Sequence, residues 1–200
     1  MFTTRTELEQ CLALERGLYQ AEIGNRRLRL LARLKSHPRH LTWRYVRLLR
    51  LTGYYYTQRT RNPLRAVQYL WYCRRKNKLG RRLGIELNEK TFAPGLMLYH
   101  TVGTVVNGDA RVGRNCRLHG NNCIGNDGFS PRCPVLGDNV RLGVGARVLG
   151  DVRLADGILV AAGAVVVHSF EEPGILLGGV PARKIGMARP QTEAWHGAED

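Results

Sequence analysis

The chain has 200 residues, 44% of them hydrophobic, and carries 31 Lys and Arg against 16 Asp and Glu for a formal net charge of +15. That suffices for one compact domain with a smaller appendage. No stretch approaches twenty uninterrupted apolar residues, which excludes a membrane-spanning helix. Glu7, Glu9, Arg16 and Glu22 break the early apolar pattern and argue against a cleavable secretion signal, so a cytoplasmic location is expected.

The charge excess sits in the front half: residues 1–90 hold 21 Lys and Arg against 6 Asp and Glu, whereas residues 91–200 hold 10 of each. Clustered positive charge attracts any polyanion, but no helix-turn-helix, zinc-finger spacing or RNP-like motif accompanies it, and no nucleic-acid partner is expected. Peripheral membrane contact is the less favoured role of this half. Cys11, Cys73, Cys116, Cys123 and Cys133 show no CxxC spacing and read as reduced thiols.

In chain order, Thr6-Glu7-Leu8-Glu9 has the form of a capping box and predicts a first helix to about Tyr19, stopping near Gly24-Asn25. Leu28, Leu31 and Leu34 share a face among arginines. Pro38 interrupts, and Leu41, Tyr45, Leu48 and Leu49 predict a further helix ending by Gly53. Asn62-Pro63 is a start signal for a helix carrying Val67, Leu70 and Trp71 toward Gly80. Tyr54-Tyr55-Tyr56, Trp43 and Trp71 are expected to pack against the second half of the chain and against neighbouring subunits. The expected division is a basic helical domain over 1–83, a repeat domain over 84–187 and a polar tail over 188–200.

From Val106 an aliphatic residue returns every sixth position: Val112, Leu118 and Ile124, then Leu136, Leu142, Val148, Leu154, Val160 and Val166. Six matches neither the helical nor the strand period, so each residue marks one short face of a repeating coil. Three such faces close an eighteen-residue turn, and turns stack at about 4.8 Å. The small residue after several inward positions (Gly125, Gly137, Gly143, Ala161) is expected to serve tight corners. The phase breaks at Tyr99 to Gly103 and over the excursion Asn126 to Val135; solenoids place function where loops leave the regular coil.

Gly84-Ile-Glu-Leu, the run GLMLYHTVGTVV from Gly95 to Val106, the excursion with Arg132, and the closing GGVPARKI from Gly178 together resemble the serine acetyltransferase family of hexapeptide-repeat acyltransferases, including its shorter branch associated with surface polysaccharides. The resemblance covers about residues 84–186. It implies a mainly β fold, a left-handed parallel β-helix behind an N-terminal helical domain, assembled as a homotrimer with a dimer of trimers as the larger option and active sites between subunits. It also implies acetyl transfer from acetyl-CoA, with no metal. A β-helical carbonic anhydrase would need a His-x4-His pair that His100, His119 and His168 do not supply.

His100 matches the family's general base, which takes the proton of a hydroxyl too weakly acidic to attack a thioester unaided. Glu86 falls, with one deletion, at the carboxylate that orients the imidazole. Asn126, Asp127, Val144 and Ala162 fall on coenzyme-contact positions, and Gly179, Arg183 and Lys184 suit the coenzyme's phosphates. Arg132 matches the residue that pairs with the acceptor's carboxylate. Tyr99 stands where the family has an aspartate for the serine ammonium, and Cys133 where it has a histidine; the thiol reads as a small passive residue. L-serine is the first acceptor expected, a sugar hydroxyl of a surface polysaccharide the alternative, and a non-enzymatic basic scaffold binding membrane or polyanion the third reading.

Overall fold

A computed structural model describes residues 2–189. Four helices come first: α1 (Arg5–Ala21), α2 (Arg26–Leu34), α3 (Pro38–Gln58) and α4 (Pro63–Leu83). The capping box on α1 is real but sits two residues before its expected place. Thr4 accepts from the Glu7 backbone, and the Glu7 carboxylate accepts from the backbone N–H groups of Thr3 and Thr4. Glu9, its rival in the expected box, instead meets Arg5 at 2.8 Å.

Two glycines expected near helix ends lie inside the helices. Gly53 lies inside α3, where a Cβ would stand 3.2 Å from the Glu89 carbonyl, and Gly80 lies inside α4, where a Cβ would stand 2.8 Å from the Ile85 carbonyl. Both mark close approach to the coils rather than helix ends. The actual terminus of α4 is Gly84, at φ 64°. Pro38 opens α3 as its first residue, and Asn62 caps α4 by accepting from Arg65. Val67, Leu70 and Trp71 do not pack on the coils. α4 turns Lys76 and Gly80 toward them, leaving these three exposed, Trp71 by 49%.

Fourteen short strands follow among the described residues. The first six are β1 (Ile85–Glu86), β2 (Met97–Leu98), β3 (Thr104–Val106), β4 (Arg111–Val112), β5 (Arg117–Leu118) and β6 (Cys123–Gly125). The next six are β7 (Val135–Leu136), β8 (Arg141–Leu142), β9 (Arg147–Leu149), β10 (Arg153–Leu154), β11 (Leu159–Val160) and β12 (Val165–Val166). A hairpin of β13 (Ile175–Gly179) and β14 (Ala182–Met187) closes the series. They form three parallel faces of a prism: β1-β3-β6-β9-β12, β4-β7-β10, and β2-β5-β8-β11-β13, with β14 antiparallel at the end of the last. We refer to these as the first, second and third faces. The fold is the left-handed β-helix expected.

All ten six-spaced aliphatics point inward and are at most 3% exposed. The corners use a different residue from the one expected. Gly137 and Gly143 stand where a Cβ would strike Asp156 or the Ala162 backbone of the coil below. The left-handed backbone falls three residues after the inward position, at Asn115, Asn121, Asn139, Gly145, Gly157 and Gly163. Asparagine tolerates that conformation, which makes it interchangeable with glycine there.

Buried polar contacts fasten the helices to the first coils. Arg50 and Glu15 form an ion pair at 2.6 Å, 2% and 0% exposed. Lys76 meets Glu89 at 2.6 Å, and the Tyr19 and Tyr45 hydroxyls accept from the backbone of Leu98 and Leu87. The loop before His100 is thereby held from the helical side. No helix among the described residues is long and apolar enough to cross a membrane.

Candidate active site

Strand register places the site. Leu98 pairs with Leu118, Leu118 with Leu142, Leu142 with Val160 and Val160 with Leu177. Two residues beyond each lies one edge of the prism, between the third and first faces, carrying in descending order His100, Gly120, Val144, Ala162 and Gly179. Four intervals at about 4.8 Å make this edge about 19 Å long. His100, Val144, Ala162 and Gly179 are exposed along it, and the hairpin turn after Gly179 brings Arg183 and Lys184 to its foot.

His100 rests on Gly120, where a Cβ would come within 2.8 Å of the His100 Cβ. Gly120 has φ 116°, a backbone region that side chains rarely adopt. The coil beneath His100 is therefore bare of side chain, and the imidazole can lie down against it.

The other expected residues fall elsewhere. Glu86 is on β1, exposed on the first face and in register with Val105. It shares no hydrogen bond or ion pair with His100, because its side chain leaves the coil on the first face while His100 sits on the edge. Instead it borders a groove of about 610 Å³ between α4 and the first face, together with Asn126.

Asn126, Asp127, Arg132 and Cys133 occupy the next edge, between the first and second faces. There the excursion folds down on the following coil: Arg132 meets Asp151 at 2.7 Å, an exposed pair, and that carboxylate raises the guanidinium's pKa. The Asp127 carboxylate accepts from the backbone of Phe129 at 3.0 Å and Ser130 at 2.9 Å, which shapes the loop and lowers its pKa. Burial, with Asp109 adding, pushes the Cys133 thiol up, so it is held as a thiol rather than a nucleophilic thiolate. At the foot of the first edge, Lys184 pairs with Glu172 at 2.6 Å, while Arg183 is exposed and donates to the Ala182 carbonyl.

Sequence reasoning missed the surroundings of Tyr99. His119 stacks on its ring, centroids 4.4 Å apart and planes 17° off parallel. Arg39, reaching over from α3, lies 4.9 Å from the ring centroid and donates to the Tyr99 carbonyl at 3.2 Å, while pairing with Glu22. Arg117 donates to the Tyr99 hydroxyl at 3.3 Å. Burial, then Arg117, Arg141, His100 and Arg39, hold His119 below its usual pKa. The inward period at Leu118 and Leu142 could have flagged Arg117, His119 and Arg141 as outward neighbours; Arg39, sixty residues from Tyr99, left no such signal.

These faces and this edge define a hexapeptide-repeat prism of the left-handed kind. No family model matches the sequence. The chain is 33% identical over 93 residues to a serine acetyltransferase of Mycobacterium tuberculosis, covering 46% of this chain and 40% of that protein. It is 30% identical over 105 residues to one of Synechococcus elongatus, covering 51% and 43%. It thus spans less than half the length of these curated relatives. Among solved structures, a serine acetyltransferase from Brucella abortus superposes with a TM-score of 0.72 at 22% identity, over 92% of this chain and 71% of that one; a complex of it with coenzyme A gives the same score. The enzyme from Neisseria gonorrhoeae gives 0.70 at 23% identity, over 94% and 69%. The relatives bear out the resemblance to the serine acetyltransferase family read from the motifs.

Proposed function

We propose that the chain is an acetyl-CoA-dependent O-acetyltransferase with His100 as general base, acting as a homotrimer. One observation carries the reading: register alone lines His100 up with Val144, Ala162 and Gly179 on a single exposed edge about 19 Å long, a length suited to an extended pantetheine arm. The coenzyme lies along that edge, with Arg183 at its foot for the phosphates. His100 takes the acceptor's hydroxyl proton as the oxygen attacks the thioester carbonyl. The tetrahedral adduct collapses, the carbon–sulfur bond breaks, and the imidazolium returns the proton to the departing thiolate.

The placement of the edges supports assembly. His100 and Arg132 stand on different edges flanking the first face, so one prism cannot bring them to one substrate; a neighbouring copy can present its excursion to the His100 edge. Phe129, 98% exposed near the excursion's tip, suits such a contact. L-serine is the first acceptor to test, on the names of the relatives. The second reading, a sugar hydroxyl, is favoured by Tyr99, the neighbour of His100, with Arg39 over its ring and on its carbonyl. Purified protein with acetyl-CoA should release thiol on addition of an acceptor from one of these classes. Silence with serine and with every sugar offered would remove the proposal.

A further inference from the structure

The third face beside His100 carries cations where an amino-acid acceptor would need an anion. Arg117 and Arg141 are register partners on adjacent coils, side by side at about 4.8 Å of coil spacing. Both are half-buried, and among the described residues neither forms an ion pair with a carboxylate. Arg117 is steered by the Tyr99 hydroxyl, and Arg141 donates to the Arg189 carbonyl at 2.6 Å. Burial and the neighbouring Arg117 lower the pKa of Arg141. Glu22, which reaches this cluster from the end of α1, is engaged with Arg39. Two like charges kept half-buried one coil apart are a cost to the fold unless an anion bridges them.

Beyond the arginines a groove of about 380 Å³ opens between α1 and the third face, lined by Leu14, Leu18, Asn115 and Asn139 as well as Arg117 and Arg141. Two side-chain amides lie along it, Asn115 donating to Asn139 at 3.1 Å.

We propose that the acceptor acetylated at His100 is anionic: its oxyanion, a phosphate or a carboxylate with no ammonium beside it, is held by Arg117 and Arg141 while its hydroxyl reaches the imidazole over the Tyr99–His119 stack. This rests on the acetyl-transfer reading and names its substrate class. A guanidinium pair binds oxyanions through charge-assisted hydrogen bonds and repels an ammonium. A zwitterion such as serine is served on one side and opposed on the other.

The test compares acceptors differing in charge: L-glycerate against L-serine, and glucose 1-phosphate and glucuronate against glucose, each followed by thiol release from acetyl-CoA. Wild-type protein should favour the anionic member of each pair by roughly tenfold or more in kcat/KM, and Arg117→Gln with Arg141→Gln should erase that preference. The better of glucose 1-phosphate and glucuronate identifies the oxyanion. Serine equal to glycerate, or a preference untouched by the double substitution, would overturn the inference. A second readout separates it from the acetyl-transfer reading: inorganic phosphate should shift the His119 imidazole NMR resonances in wild type and not in the double variant. Should no acceptor release thiol, acetyl transfer fails while this shift still decides the anion site, its absence overturning it.

Discussion

Replacing Glu15 by Gln strips the anion from a buried pair while keeping its shape. Arg50 spreads its guanidinium over five acceptor contacts. Nε meets both Glu15 oxygens at 3.1 Å, and Nη2 meets Glu15 at 2.6 Å and the Ala93 carbonyl at 2.8 Å, while Nη1 meets the Phe92 carbonyl at 2.6 Å. Glu15 Oε1 also accepts from the Gly95 and Leu96 backbones, each at 3.0 Å. Burial works against the arginine's charge, and the carboxylate outweighs it, raising its pKa. With the charge removed from Glu15, Arg50 stays buried and uncompensated, which costs about 3–5 kcal/mol. At about 2–4 °C per kcal/mol for a chain of this size, thermal unfolding followed by far-UV circular dichroism should drop by roughly 6–20 °C. Glu15→Leu with Arg50→Met should recover only part of this, because the backbone groups of residues 92, 93, 95 and 96 lose their partners as well. A drop below about 2 °C for Glu15→Gln would refute the claim that this pair clamps α1 and α3 to the first coil.

Gly120→Ala should lower acetyl transfer at least tenfold while the chain stays folded, because the added methyl meets the His100 Cβ at 2.8 Å on a backbone at φ 116°; steady-state kinetics beside circular dichroism check both halves. Glu86→Gln should cost under tenfold in kcat, since the carboxylate does not touch the imidazole, and a loss as large as that of a His100 variant would restore it as the orienting group. His119 binds its proton less readily folded than unfolded, so stability is complete well above pH 6.5 and is lost as the pH falls from about 6.5 toward the folded pKa. Urea midpoints at pH 7.5 and pH 5.5 should therefore converge in His119→Gln, and an unchanged difference would count against the buried, neutral imidazole.

The prism was legible because its inward side chains are chosen by a single constraint: Leu118, Leu142 and Val160 all fill one narrow axis and must recur every six residues. Helix starts were legible where the cap and the first residue are chemically distinctive, as at Asn62-Pro63. At α1 two Thr-x-x-Glu frames overlap, and only the pairing of Arg5 with Glu9 shows which lost. Gly53 and Gly80 misled because glycine serves close approach as well as helix termination, and sequence does not show which backbone lies opposite. His100 could be read from the phase break and the motif. Arg117 and Arg141 could be placed as outward neighbours from the inward period, but Arg39 could not, since its contact with Tyr99 depends on where α3 lies against the coils.

The most direct measurement is thiol release from acetyl-CoA by His100→Asn, in the presence of whichever acceptor the wild-type protein uses best, with thermal unfolding recorded alongside. A fall of two to four orders of magnitude in kcat with an unchanged melting curve is the expected result. Turnover within tenfold of wild type would show that the exposed edge headed by this imidazole is not where the hydroxyl loses its proton.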